Sequence, residues 1–329
     1  MSESTPDLRA LGDDVKSSWH RFLDSFEPMR ADLYRYCRHL TRSPWDADDL
    51  AQDTLVRAFV TLGTMFSELP SPRAWLFRVA SNLWIDRARR SRREVMVEVA
   101  QDAGAAGDPR GAREAAGALV VRLSPQERAA VVLKDVFDFS LEEVAEALGT
   151  TVGAVKAALH RGRGRLVAAD EEALRAPAPG VLDAFCDAFN ARDLERMTAV
   201  LLDAATVEIA GVVTEYGPEA PKDPRTGSLA GTLSPILVDD RGGVGPEWLA
   251  GYIPSVPRCE VREHRGAPIL LFWYEHADGW RVRTVMTVDT EGDRIARLRN
   301  YFFTPEVIAE VCEELGVPYR VNGYRFWLG

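Results

Sequence analysis

With 329 residues and 46% hydrophobic content, the chain is long enough for two or three domains, each with its own core. No apolar run approaches the roughly 18 residues needed to span a bilayer. The start MSESTPDLRALGDD is acidic and polar rather than signal-like, so a cytoplasmic protein without a membrane partner is expected. A net charge of -10 argues against nucleic acid only at first sight, because binding depends on where positive charge is placed and the arginines concentrate in two short runs.

Residues 1–25 are polar, with a short helix expected around Trp19, Phe22 and Leu23, and are set aside as an N-terminal extension. From Phe26, Met29, Leu33, Tyr36 and Leu40 recur near helical spacing and predict an amphipathic helix. Ser43 as cap, Pro44 at the first position and Asp46 three residues after the cap start the next helix. Its core face is Ala47, Leu50, Ala51, Leu55, Ala58 and Phe59, which leaves Asp46, Asp49, Gln52, Asp53 and Arg57 outside as a mostly acidic stripe. Standing alone, such a stripe is a solvated face.

Ser71 and Pro72 open a third helix, aromatic at first and ending in Arg87, Arg89, Arg90, Arg92 and Arg93. Arginines at that density contact phosphate, and Trp75, Phe77 and Trp84 interleaved with Arg78 and Asn82 make a surface able to hold unstacked bases. Residues 95–118 are rich in Ala, Gly and Asp and read as a flexible acidic linker.

Ser124, Pro125 and Glu127 then form a capping box ahead of Ala129, Val132 and Leu133, and Ser140 with Glu143 forms a second. Leu141, Val144, Ala145 and Leu148 carry that helix to Gly149, placed where a helix stops left-handed, and Thr151 caps the next one. There Val152, Val155, Leu159, Gly162 and Leu166 make one apolar stripe, with Lys156, Ala157, His160 and Arg161 on other faces. A helix packed by one stripe and basic on its free side fits the reading helix of a helix-turn-helix. Taken alone it also fits an ordinary helical hairpin.

RAPAPG marks a boundary near residues 171–179. Beyond it two helices are expected, with Val181, Leu182, Phe185 and Phe189 on one face, followed by a strand and an antiparallel meander over about 258–303. The Gly/Pro-rich stretch 215–233 is a candidate lid or docking segment. Cys37, Cys186, Cys259 and Cys312 lack paired spacing, so neither a zinc site nor a disulfide framework is expected, and they read as buried small hydrophobes.

The stretches DADDLAQDTLVRAF, PRAWLFRVASNLWIDRARR and LSPQERAAVVLKDVFDFSLEEVAEALGTTVGAVKAALHRGRGRL resemble regions 2 and 4 of an extracytoplasmic-function (ECF) sigma factor of the sigma-70 family, in the family's order. The resemblance implies a multidomain protein. Two all-α sigma modules, a region 2 helical bundle at 26–94 and a region 4 helix-turn-helix at 119–170, would precede an α+β domain at 180–329. It also implies two partners, the RNA polymerase core (β′ clamp and β flap) and promoter DNA.

Carried over by residue, Asp46, Asp49, Gln52, Asp53 and Arg57 would dock on the clamp. Asn82, Asp86, Arg87 and Arg90 would hold the minus-ten element, and Lys156, His160, Arg161 and Arg163 would read the minus-thirty-five element. Two departures stand out. Ala157 and Ala158 occupy positions where the family often has serine and arginine, and Gly162 and Gly164 stand where alanine is usual, at about 1 kcal/mol each.

The C-terminal part, through DAFNARDLERM, resembles the SnoaL-like branch of the NTF2-like cone fold, and the ending RNYFFTPEVIAEVCEELGVPYRVNGYRFW is similar to that of the SigG-type actinobacterial subgroup. Such a cone would enclose a pocket for a small-molecule ligand among Tyr216, Trp248, Tyr252, Trp273, Trp280 and Arg297. Catalytic candidates would be His264, Glu275, His276 and Asp289, but strand alternation puts Glu275 and His276 on opposite faces. No enzyme activity, metal or cofactor is therefore expected. The alternatives left open are a ligand-responsive helix-turn-helix regulator acting without polymerase and a SnoaL-type enzyme.

Overall fold

The computed structural model describes residues 8–64, 71–102, 123–163, 180–223, 227–233 and 257–324, divided into two compact units, Met1–Ala169 and Asp170–Gly329.

The first unit is helical. Helix α1 (Leu8–Thr41) runs unbroken through the expected extension and across Pro28, so the short helix and the Phe26 helix are one element. Tertiary packing outweighs the backbone hydrogen bond that Pro28 removes. Trp19 and Phe22 set their rings 5.2 and 5.5 Å from Phe59, and Phe26 sits 6.2 Å from Trp75.

Helix α2 (Pro44–Leu62) starts as its sequence predicts, with the Ser43 hydroxyl accepting from the Asp46 N–H, and buries Ala47, Leu50, Ala51, Leu55 and Ala58. Helix α3 (Pro72–Asp102) is opened by Ser71 and continues past the expected boundary at residue 94 into the stretch read as linker. Residues 103–118 of that linker lie outside the described residues. Inside the three-helix module, Tyr36 and Ser81 share a buried hydrogen bond of 2.7 Å between α1 and α3.

Helix α4 (Pro125–Val131) continues into a π-turn at Val132–Val136, and α5 (Leu141–Ala147) and α6 (Val152–Arg163) follow. Both capping boxes are formed. The stop at Gly149 is a Schellman motif: φ there is +58°, Gly149 N–H donates to Glu146 O at 3.1 Å and Thr150 N–H to Ala145 O at 2.9 Å.

Gly162 has a packing reason that the sequence hides. A Cβ on it would meet Val131 Cγ2 at 2.7 Å, so glycine is what lets α6 lie close on α4. Gly164 lies outside the described residues.

The second unit is α+β. Helices α7 (Gly180–Asn190) and α8 (Leu194–Ala199) lead into a six-stranded sheet of order β2-β1-β6-β5-β4-β3. Its strands are β1 (Leu201–Ile209), β2 (Val213–Tyr216), β3 (Arg258–His264), β4 (Ala267–His276), β5 (Gly279–Glu291) and β6 (Arg294–Asn300). The meander from β3 to β6 is antiparallel as expected, while β1 pairs parallel with β6 and makes the sheet mixed.

Leu182, Phe185, Phe189 and Met197 pack with Leu270, Phe272, Met286 and Leu298 as one core, with Phe189 and Phe272 rings 4.9 Å apart. Helix α9 (Ser228–Leu233) and a single 3-10 turn, Ala220–Lys222, fall within the stretch read as a lid. There Glu215 accepts from the Ser228 N–H at 3.0 Å and Lys222 bridges Glu195 and Glu219, so its described parts are folded against the domain.

Helix α10 (Pro305–Leu315) packs against β5. The chain then returns to the half of β5 that β6 does not reach. Val282 N–H donates to Pro318 O at 2.9 Å and Arg320 N–H to Val282 O at 3.0 Å, which pairs backbone groups otherwise left open.

Candidate nucleic-acid interface

Helical periodicity separates the outer face of α2 from its core stripe. Asp46, Asp53 and Arg57 are exposed, and Asp49 and Gln52 are half-buried. Between them stand Val56 and Val60, 52% and 55% exposed, which the reading by charge passes over. Two valines at i and i+4 outside the core stripe are the signal that marks this face as more than solvated. Asp53 also pairs with Arg87 of α3, so a residue expected at the polymerase and one expected at DNA hold each other.

On α3, Arg78, Asn82, Asp86, Arg89 and Arg90 are all exposed. Asn82 and Asp86, one turn apart, are on the wall of an open cleft of about 740 Å³ that also takes in Arg57, Trp75, Gln126 and Gly149. The aromatic residues are not an open stacking platform. Phe77 is fully buried, Trp75 is half-buried in the cleft wall, and Trp84 is half-buried with the Arg128 guanidinium 5.8 Å from its ring centroid.

On α6, Lys156, Ala157 and His160 are exposed. Ala158 is buried, so one of the two alanines read as departures from a reading pattern belongs to the core. Arg161 donates from Nε to the buried Glu127 carboxylate at 2.7 Å, which fastens α6 to the capping box of α4. Burial pushes the Glu127 carboxyl up. The Arg161 hydrogen bond and the Ser124 cap outweigh burial and hold it below the ordinary carboxylate value. The side chain of Arg163 lies outside the described residues.

The helix-turn-helix lies directly against the three-helix module. Phe137, just past the π-turn, sets its ring 5.8 Å from Tyr36 and 5.2 Å from Phe77, and Phe139 lies 5.5 Å from Phe77. Arg73 covers Phe77 and Phe139 at 5.4 and 5.1 Å, and Arg128 donates to Leu40 O at 2.6 Å. This contact, invisible in the sequence, holds the two helical modules together.

In the second unit the described pocket candidates fall on different strands. Tyr216 is 74% exposed on edge strand β2, four strands from Trp273 on β4, roughly 19 Å at about 4.8 Å per strand. Arg297 is spent on Glu208 at 2.8 Å. Trp273 and Trp280 do share a neighbourhood: the Trp273 indole donates to Glu260 at 3.0 Å and Arg258 lies 4.5 Å over the Trp280 ring. Trp248 and Tyr252 lie outside the described residues.

Among the catalytic candidates, His276 is buried while Glu275 and Asp289 are exposed, as strand alternation requires for the first two. His264 sits at the other end of the β3–β4 hairpin, bonded through Nε2 to Glu314 at 2.7 Å. Burial lowers the His264 pKa, and the Glu314 hydrogen bond only partly offsets it. Among the described residues no His, Cys, Asp and Glu group could hold a metal, and no described helix is long and apolar enough to cross a membrane.

A basic helix beside an acidic one, joined to a capped helix-turn-helix, makes two helical modules whose exposed basic side chains suit a nucleic-acid partner. Residues 26–94 match the Sigma-70 region 2 family model and residues 113–166 match Sigma-70, region 4. The chain is 31% identical over 294 residues to the ECF RNA polymerase sigma factor SigJ of Mycobacterium tuberculosis (strain ATCC 25618 / H37Rv), covering 76% of this chain and 90% of SigJ. The chain belongs to the ECF family of RNA polymerase sigma factors.

It is also 32% identical over 221 residues to SigG of Mycobacterium tuberculosis (strain CDC 1551 / Oshkosh), a match that takes in 56% of this chain and spans only 60% of SigG. The crystal structure of M. tuberculosis SigJ aligns over 85% of this chain and 95% of its own, at 21% identity and a TM-score of 0.30.

Proposed function

We propose that the protein is a promoter-recognising subunit that works in the cytoplasm, binds core RNA polymerase and directs it to specific promoters. The observation that carries this is the pairing, within one helical unit, of an acidic and apolar outer face on α2 with a polar, arginine-bearing row on α3 and a capped reading helix α6. In this reading Asp46, Asp49, Gln52, Asp53 and Arg57 face the β′ clamp. Asn82, Asp86, Arg87 and Arg90 take the minus-ten strand, while Lys156, His160, Arg161 and Arg163 serve the minus-thirty-five element beside the β flap.

Lys156 and His160 are the direct readers, since Arg161 is already engaged by Glu127. A free helix-turn-helix regulator would have no use for the α2 face, including its two exposed valines. The C-terminal domain is read as a SnoaL-like regulator of this activity and not as an enzyme, because His264 and His276 lie at opposite ends of one hairpin.

Run-off transcription tests both parts. The full-length chain with core polymerase should initiate at a promoter on which core alone is silent, and ending the chain at residue 178 should change the yield. Failure to form any complex with core polymerase rules out the reading, and equal yields from the two lengths rule out the regulatory role.

A further inference from the structure

Spacing pairs none of the four cysteines, but the fold brings two of them together. The Cys186 Sγ on α7 lies 2.9 Å from the Cys259 Sγ on β3, at 6% and 4% exposure. The neighbouring residues build this meeting. Asn190 lies one turn beyond Cys186 on the same face of α7. Its side-chain amide donates to Cys259 O at 2.9 Å and accepts from the Cys259 N–H at 2.8 Å.

Because β3 is an edge strand among the described residues, pairing there only with β4, Asn190 acts as a one-residue strand along its outer side. Arg192, held left-handed at φ 60°, donates to Pro257 O at 2.8 Å and completes the clamp. The end of α7 is thus fixed to the start of β3 where the two sulfurs face each other.

We infer that Cys186 and Cys259 form a redox modification site that closes to an intramolecular disulfide under a peroxide oxidant and reopens under thiol reductants. This is independent of the reading of the helical unit. Closure needs the sulfurs to approach from 2.9 Å to about 2.05 Å, less than the movement of a rotamer change. One thiol attacks hydrogen peroxide, the O–O bond breaks, and a sulfenic acid and one water form. The second sulfur then attacks the sulfenic sulfur and expels a second water. In sum two thiols give up two protons and two electrons, and one peroxide becomes two waters.

Burial pushes the Cys259 thiol up, so the closed site resists casual oxidation. Its place on an edge strand lets a small peroxide enter when α7 lifts locally from β3. The cross-link would join residues 73 positions apart, and constraining so long a loop in the unfolded chain should raise the melting temperature of the domain by roughly 10 °C.

The test uses the full-length chain carrying Cys37→Ser and Cys312→Ser, purified reduced, exposed to hydrogen peroxide while folded, then unfolded in iodoacetamide and weighed intact. The expected result is the loss of two hydrogens with no alkylation, a peptide map joining residues 186 and 259, reversal by dithiothreitol and the higher melting temperature. Adding Cys186→Ser should abolish the cross-link and the shift. Two alkylated thiols after peroxide, sulfinic acid without a cross-link, or a cross-link formed only in the urea-unfolded chain would overturn the proposal. Should the double variant fail to fold, the same peptide map on the unaltered chain decides the question.

Discussion

Gly162 illustrates how one residue can carry opposite meanings in the sequence and in the fold. By helix propensity, alanine there would gain about 1 kcal/mol. Its Cβ, however, would press on Val131, a short, branched, buried side chain with little room to yield, and overpacking costs about 1–3 kcal/mol. Gly162→Ala is therefore expected to lower the thermal stability of the helix-turn-helix, and Val131→Ala in the same chain to restore part of it. The pair of melting curves checks both. Lys156 differs in kind, being exposed on α6. Lys156→Ala should leave the melting curve alone, weaken promoter binding and reduce the slope of log K against log salt by about 1, measured as a salt titration of the holoenzyme.

At the scale of elements, the two capping boxes make the helix-turn-helix sensitive to acid. Burial pushes Glu127 up, but Arg161 and Ser124 bring it below its ordinary value, and the Ser140 backbone and hydroxyl lower Glu143. A carboxylate whose pKa is depressed by folding stabilises the fold above its unfolded value and loses that contribution as pH falls through the folded value. Helicity of the module should thus be level above about pH 5 and decline below the ordinary glutamate pKa of 4.5, with Glu127→Gln flattening the decline. A circular-dichroism titration reads this directly.

The contact between helical modules belongs to the same scale. Minus-ten and minus-thirty-five elements lie about 25 base pairs apart, about 85 Å at about 3.4 Å per pair, whereas here Phe137 and Phe139 are packed on Phe77. The proposed reading of both elements requires that contact to part. Replacing Phe137 and Phe139 by alanine should increase the radius of gyration in solution scattering and raise holoenzyme activity on a weak promoter. An unchanged radius would show that the contact does not hold the modules closed.

At the scale of the whole molecule, what was legible and what was not divide along a physical line. Every cap read from Ser43, Ser71, Ser124, Ser140 and Thr151 is formed, because a cap is a contact between residues three apart and needs no tertiary partner. The meander was equally legible, since hairpin turns at Gly266, Gly279 and Gly292 adopt the positive φ that glycine allows. The place of Tyr216 was not, because sheet order puts it four strands from Trp273, and order depends on β1 returning to lie parallel to β6.

By itself the sequence determined the helical modules followed by an α+β domain, the starts of the five capped helices α2 to α6 and the family, all of which rest on local patterns of cap, period and motif. Only the tertiary structure decided that Ala158 is core, that Arg161 is committed to Glu127, that Phe137 closes one module on the other and that Cys186 meets Cys259. Each of these joins residues close in space but, save for the buried side of α6, distant along the chain, and such pairings follow from how whole elements pack rather than from the spacing within any one of them.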